Sequence, residues 1–459
     1  MRYEFPWKRG KNGQNPWGLL IRNHTILVKG CMAKSLTLHS IRPKLAKFKI
    51  IKVEIIHSVL SWIRRRVPRF VKNWLRSKRW RHPTPIYDIG ESPPRGHLKV
   101  TDQPKRALLS STTTPFRLSP DDWRNLIFSH IGTVRSIVHV LNELGYIVDI
   151  IERTDTKFIP RRHYDLFIGH GVCNFEHIAR NLSPDTVKIY FSMGIYWKKW
   201  NRAEAERFRW LEERRGVHLP YDRWIYCSEE YAIQSADGII CKGNKVAKDS
   251  YAQSPVVINL NNASYHDNRY NWVKKDFAAG RNKFLFFSGS GNVHKGLDLL
   301  LEAFVQMDAH LYICQGIRPD FYEVYRHELK DFPNIHLIGI TPLRSQLFYG
   351  LMDICNFVIH PTCAEGQPGS VIECMHHGLI PIVSREAHID TDNYGITLNN
   401  CSIDEIVSVV RDLSQRSPEW CEEMSRRTRK AAVTEFSETV FLRNLRNAIQ
   451  CMITRRAKQ

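Results

Sequence analysis

Short apolar runs alternate with amphipathic stretches over two long regions of the chain. In the first, residues 105–111 read as a strand, and 129–133 lead into 134–144, where apolar positions recur at helical spacing. A glycine stops that helix, strands follow at 146–151 and 164–171, and after a charged helix at 201–215 the last strand of the domain is expected at 236–243. The second region opens at 283–304 with strand, glycine-rich turn and amphipathic helix, and continues with strands at 309–316 and 334–340. Such alternation predicts an α/β fold of doubly wound sheets, whose ligands sit at the carboxyl ends of the strands. The segment 259–280, rich in Asn, Asp and Lys, is the predicted linker.

A third pattern precedes both. Ile56, Val59, Leu60, Ile63, Val67, Phe70, Val71 and Trp74 recur at helical spacing, with Arg64, Arg65, Arg69, Lys72, Arg76 and Lys78 between them, and Pro68 divides the stretch into two helices. Charge sharpens this picture: residues 1–83 hold 21 Lys and Arg against Glu4 and Glu54, whereas the rest of the chain is nearly balanced. The basicity therefore belongs to an extension. A basic amphipathic helix with tryptophans suits an anionic membrane surface, and residues 50–81 are the predicted contact, with each cation near the surface contributing about 1 kcal/mol. A nucleic-acid arm, a transit peptide, or a start at Met32 or later are the competing readings. The apolar stretch 50–63 is too short and too charged to span a bilayer. Nucleic acid is the less favoured partner.

Candidate chemistry concentrates in the second region. Glu365 and Glu373 stand eight positions apart; with a helix starting near Gly369, Glu373 lies one turn inside it, and Glu365 lies in the loop beside its first amides. Amides there attract anions, so one carboxylate suits the hydroxyls of a sugar near bound phosphates and the other suits a ribose. Spacing alone does not separate them from an ordinary loop charge and a solvated helix residue. Upstream, the turn with Gly289 and Gly291 can approach a phosphate closely, and Lys295 adds a charge there. The dinucleotide fingerprint is absent, because position 294 is His and the next strand ends in Cys314 and Gln315; no Walker A string occurs.

These elements resemble the group 1 glycosyl transferase family, the donor-binding half of retaining GT-B glycosyltransferases. The resemblance covers roughly residues 284–436 and rests on Lys295-Gly296, Ile338-Gly339, His360-Pro361-Thr362, Glu365-Gly366 with Glu373, and Gly378 through Ser384. It implies two Rossmann-like domains facing a cleft, 101–275 for the acceptor and 276–435 for the donor, with 436–459 crossing back; the charge and helical patterns place a basic, mainly helical extension at 1–100 before them. It implies a nucleotide-sugar donor, a glycan or lipid-linked acceptor, hexosyl transfer with retention, and no cofactor. Lys295 would hold the diphosphate, Glu365 the transferred sugar and Glu373 the ribose, with Gly291, Gly366, Gly369 and Ser370 around them and Gly339 near the base. Gly132 resembles the glycine of the family's first loop, and His170 a cleft-facing catalytic histidine. Two departures stand out: the family's arginine five residues before the lysine is Ser290 here, leaving Lys295 alone or assisted by His294 or a distant arginine, and its Gly-Phe-Gly is Gly366-Gln-Pro-Gly369.

The remaining signals are plainer. Asp390-Thr-Asp392 falls too late in its domain for a metal pair of the other glycosyltransferase architecture, so a surface loop and no metal are expected. Tyr196, Trp197 and Trp200, beside Lys198 and Lys199, are read as packed against the core rather than as an acceptor surface. Eleven scattered cysteines without a Cys-x-x-Cys suit a reducing cytosol, so the expected location is cytoplasmic, peripheral on the inner face of a membrane. The rival class is a non-catalytic GT-B scaffold acting as a membrane or nucleic-acid adaptor, and a sugar-nucleotide epimerase is a second enzymic reading.

Overall fold

The computed structural model describes residues 20–22, 25–27, 84–89, 104–126, 128–254, 256–267, 269–271 and 275–458. The chain forms two compact units, Met1–Arg81 and His82–Gln459. In the first, strand β1 (Leu20–Arg22) pairs antiparallel with β2 (Thr25–Leu27). The amphipathic helices predicted at 50–81 lie outside the described residues.

The second unit holds two sheets. One is seven-stranded, in the order β3 (Ile86–Ile89), β5 (Ile147–Glu152), β4 (Arg106–Ser111), β6 (Leu166–His170), β7 (Val187–Phe191), β8 (Gly238–Lys242), β9 (Val257–Leu260). All neighbours are parallel except β3, which runs antiparallel to β5. Two expectations change here. Strand β3 precedes the predicted first strand, and β9 follows the predicted last one, claiming the front of the presumed linker.

The other sheet is six-stranded and parallel: β12 (Ile335–Leu337), β11 (His310–Cys314), β10 (Lys283–Phe287), β13 (Phe357–His360), β14 (Ile380–Ser384), β15 (Ile396–Leu398). Counted from β10, this is the doubly wound order 3-2-1-4-5-6, which opens a crevice where β10 meets β13. Alternation along β10 builds both faces: Phe284 and Phe286 enter one apolar core, Leu285 and Phe287 the core on the opposite side.

Helices are placed by the same economy. Helix α1 (Thr133–Glu143) buries Val134, Ile137, Val138, Val140 and Leu141 against the first sheet, and the chain leaves it through Gly145 at φ +85°. Helix α2 (Trp197–Arg215) starts four residues earlier than its charge pattern suggests. Although it lies between strands of the first sheet, its Phe208 and Leu211 pack into the core of the second. Arg214 pairs with Asp298 and Glu302, and Arg215 with Glu302 and Glu328, fixing its end there. Tyr196 and Trp200 are buried and Trp197 is half-buried, and Trp200 also lines the cavity described below. Helix α3 (Leu297–Phe304) follows β10, and α4 (Gly369–His376) follows β13. The final helix α5 (Glu438–Arg456) returns to the first sheet, burying Phe441, Leu445, Ile449 and Met452 in its core.

Candidate active site

The carboxyl ends of both sheets enclose a cavity of about 900 Å3, at the upper end of what small-molecule sites occupy. From the second sheet come Ser288, Gly289 and Ser290 after β10, Lys295, and the loop Glu365–Gly369 with Ser370 and Glu373. The start of α4 faces this space uncapped, since Pro368 at its N-cap carries no side-chain acceptor for the first amides. Uncapped amides with the helix dipole behind them make an anion seat.

Lys295 and Glu365 are both buried and their ammonium and carboxylate are in direct contact. Burial, and then the positive charge of Arg223, press the Lys295 pKa down; the adjoining carboxylate opposes them. Glu373 is buried too: one oxygen accepts from Ser264 Oγ, and the other has no hydrogen-bond partner among the described residues, with Arg344 Nε 3.8 Å away. Burial raises its pKa. A buried carboxylate with one oxygen unsatisfied is costly unless something fills the place.

Arg223 brings a guanidinium to Ser290. Its backbone is fixed by Glu204, which accepts from the Asp222 and Arg223 amides at 2.9 and 2.6 Å, and by Trp200 Nε1, which donates to its carbonyl at 3.0 Å. The side chain then runs over the glycine turn: a Cβ on Gly291 would lie 3.0 Å from Arg223 Cδ. Its Nη1 ends 3.5 Å from both Ser290 O and Ser290 Oγ. Among the described residues Nε has no hydrogen-bond partner, and burial lowers the guanidinium pKa. Gln315 shapes the same turn by donating to Gly289 O at 2.7 Å.

No protein-family model and no curated protein matches the chain. Solved structures do. A sucrose-phosphate synthase from Thermosynechococcus elongatus superposes with a TM-score of 0.54 at 12% identity, over 77% of this chain and 100% of its own. HepE of Anabaena, solved with UDP and glucose, gives 0.50 at 11% identity, again over 77% and 100%. Both are GT-B glycosyltransferases. The chain has the GT-B fold.

Within that GT-B frame the cavity gathers Lys295, Glu365, Gly366, Gly369, Ser370 and Glu373. The other predicted positions stand outside its wall. Gly291, at φ +103°, makes room for Arg223 rather than for a ligand. Gly132 packs against Phe128 and Tyr265, and its loop lines the cavity through Phe128, Ser129 and His130 instead. Gly339, at φ +86°, turns the chain so that Ile340 and Thr341 reach the cavity. His170 is buried behind the wall, its Nδ1 2.8 Å from Ser111 Oγ, and the ring that reaches the cavity is His130, 6.2 Å away between centroids. His294 is fully buried, and its Nε2–H donates to Ala364 O at 2.7 Å, so it braces the loop. Gln367, in the variant loop, ties the halves together: it accepts from the Asn262 amide at 2.6 Å and donates to Asn261 Oδ1 and His388 O. Asp390 and Asp392 are exposed, and among the described residues no group of three or more His, Cys, Asp or Glu could hold a metal ion.

Proposed function

We propose that the protein is a hexosyl-transferring glycosyltransferase of the group 1 type, moving a sugar from a nucleotide donor to a hydroxyl of a glycan or lipid-linked acceptor with retention of configuration. The observation that carries this reading is the cavity at the carboxyl ends of two doubly wound sheets, where an uncapped helix start, Lys295 and Arg223 face Glu365 and Glu373. The cations and amides hold the diphosphate, whose negative charge grows as the bond to the sugar breaks. Glu365 leaves Lys295 to the phosphates and orients the sugar hydroxyls; Glu373 takes the ribose, and Ile340, Thr341 and Leu343 border the base. The acceptor oxygen bonds to the anomeric carbon, the carbon–phosphate oxygen bond breaks with its electron pair, and the hydroxyl proton passes to the departing phosphate. His170 acts at the reacting centre only through His130, which it backs.

Calorimetric titration of UDP, GDP and ADP, each against its monophosphate, tests the donor assignment. One diphosphate should bind at least tenfold tighter than its monophosphate, and Lys295→Met should erase the difference; equal affinities in wild type would defeat it. The basic extension supports cytoplasmic placement on the inner face of a membrane. Removing residues 1–81 should then abolish flotation with anionic liposomes and leave nucleotide binding intact, whereas unchanged flotation would end that proposal. Among the described residues no helix is long and apolar enough to cross a membrane.

A further inference from the structure

We propose that the first-sheet side of the cavity binds an acceptor carrying a phosphoryl group, held by Lys242 and Arg153. This rests on the glycosyltransferase reading and deepens it. Lys242 closes β8 and Arg153 follows β5, so both stand at carboxyl ends of the first sheet, and both line the cavity. Neither has a carboxylate oxygen within 4.0 Å among the described residues. Lys242 is buried; its ammonium donates to Thr133 Oγ1 at 2.6 Å and Asn262 Oδ1 at 2.9 Å, leaving one of its three N–H groups over. Phe441 covers it from α5, with the ring centroid 5.7 Å away. Arg153 meets only the weak acceptor Met193 Sδ at 2.7 Å, and lies along Gly171, whose φ of +98° keeps a side chain out of its way.

The acids of this wall are already engaged. Glu229 accepts from Tyr190 Oη at 2.6 Å, the Trp197 amide at 2.9 Å and Tyr251 Oη at 3.3 Å, and Glu152, outside the wall beside Arg153, accepts from the Thr113 amide and hydroxyl. The histidines register the unbalanced field: His130, whose ring stands open to the cavity, is lowered by the crowding there and then by Lys242, Arg153 and Arg223, and His170 is lowered by burial, His130, Lys242 and Arg153. His130, the ring that reaches the cavity, is neutral here and can hydrogen-bond an anion without competing for its charge, while His170 stays behind the wall. A buried ammonium with one N–H group left over, beside a half-buried guanidinium that meets only a thioether among the described residues, is expensive, which points to an anionic ligand that completes both. The donor diphosphate is matched on the opposite wall by Lys295, Arg223 and the amides of α4. Two cations, one a planar fork, suit the several oxygens of a phosphoryl group better than a single carboxylate.

The test uses the full chain, saturated with whichever of UDP, GDP or ADP binds, at about 50 mM salt, where charge interactions are weakly screened. Glycerol 3-phosphate, dodecyl phosphate, glucuronate and glycerol are titrated by calorimetry. Glycerol 3-phosphate should bind saturably, at least tenfold tighter than glucuronate and without response from glycerol. Dodecyl phosphate binding a further tenfold tighter would mark the phosphoryl group as a lipid's. Lys242→Met and Arg153→Met should each weaken phosphate binding at least tenfold, shift nucleotide affinity less than threefold, and leave Tm unchanged or raised. Glycerol 3-phosphate affinity should also fall from pH 6 to pH 9 more steeply in wild type than in Lys242→Met, because burial lowers Lys242 to about 7 and the ammonium is lost across that range. No phosphate binding to the nucleotide-loaded protein, glucuronate binding as tightly, or a loss of nucleotide instead of phosphate in the variants would overturn the proposal. If no nucleotide binds, the glycosyltransferase reading falls by itself, and phosphate titration into the free protein still decides this pocket.

Discussion

Arg223→Met isolates the cation that the glycine turn lacks. Methionine keeps an unbranched stem over Gly291 and Trp200 and removes only the guanidinium, which has no carboxylate oxygen within 4.0 Å to strand among the described residues. A unit charge about 4 Å from a phosphate oxygen contributes about 4 kcal/mol at an effective dielectric of 20. Partial solvation of the loop brings this to about 2–4 kcal/mol, or roughly a 30- to 1,000-fold loss of nucleoside diphosphate affinity. Stability should not fall, since the variant relieves a desolvated charge. Ser290 supplies the complementary experiment: its Oγ lies 3.5 Å from Arg223 Nη1, so Ser290→Arg in the Arg223→Met background returns a guanidinium to the same space. Calorimetry should show at least tenfold recovery. The reasoning fails if Arg223→Met binds the diphosphate like wild type, or if its affinity falls no more than that for the monophosphate.

Two further outcomes follow from the same geometry. Gly296→Ala should cost about 2–4 kcal/mol in urea unfolding, because residue 296 sits at φ +82° and an added Cβ would lie 2.4 Å from Pro361 O; a loss below about 1 kcal/mol would show that the β13 loop yields. Burial raises the Glu229 carboxyl to about 7, from an ordinary value of 4.5. The folded state therefore keeps this proton longer than the unfolded chain, and the contribution is complete below pH 4.5 and lost as pH rises to 7, by about 3 kcal/mol. Stability measured by urea at several pH values should fall less steeply across that window in Glu229→Gln than in wild type, any constant offset being irrelevant to the slope; parallel slopes would refute the assignment.

The strands were legible where burial is complete. The run Lys283–Phe287 is apolar on both faces because each face meets its own core, and its neighbours in the sheet share that character. Strand β3 was hidden because it is a four-residue antiparallel edge with two exposed positions, and β9 because a polar stretch follows it. Helix α2 advertised its charge, but nothing local reveals that Phe208 and Leu211 enter the other sheet's core. The site divided in the same way. Lys295, Glu365 and Glu373 lie within two short strand–loop–helix units, where spacing alone does not single them out and the ordered motifs of the family resemblance do. Arg223 stands 67 positions before Ser290 and joins it only through the fold; the sequence offered just the vacancy at Ser290. His170 ends a strand, yet that strand is interior and Ser111 takes its ring nitrogen, while His130 reaches the cavity from the turn that leads into α1.

Acceptor-free hydrolysis of UDP-, GDP- and ADP-sugars tests the central claim most directly, with nucleoside diphosphate release compared between wild type and Glu365→Gln. Wild type should release one diphosphate slowly, and Glu365→Gln should lose at least tenfold in rate while binding that diphosphate as well as wild type. No release from any donor, with no change in Tm on adding any nucleotide, would contradict the account and favour a non-catalytic GT-B adaptor.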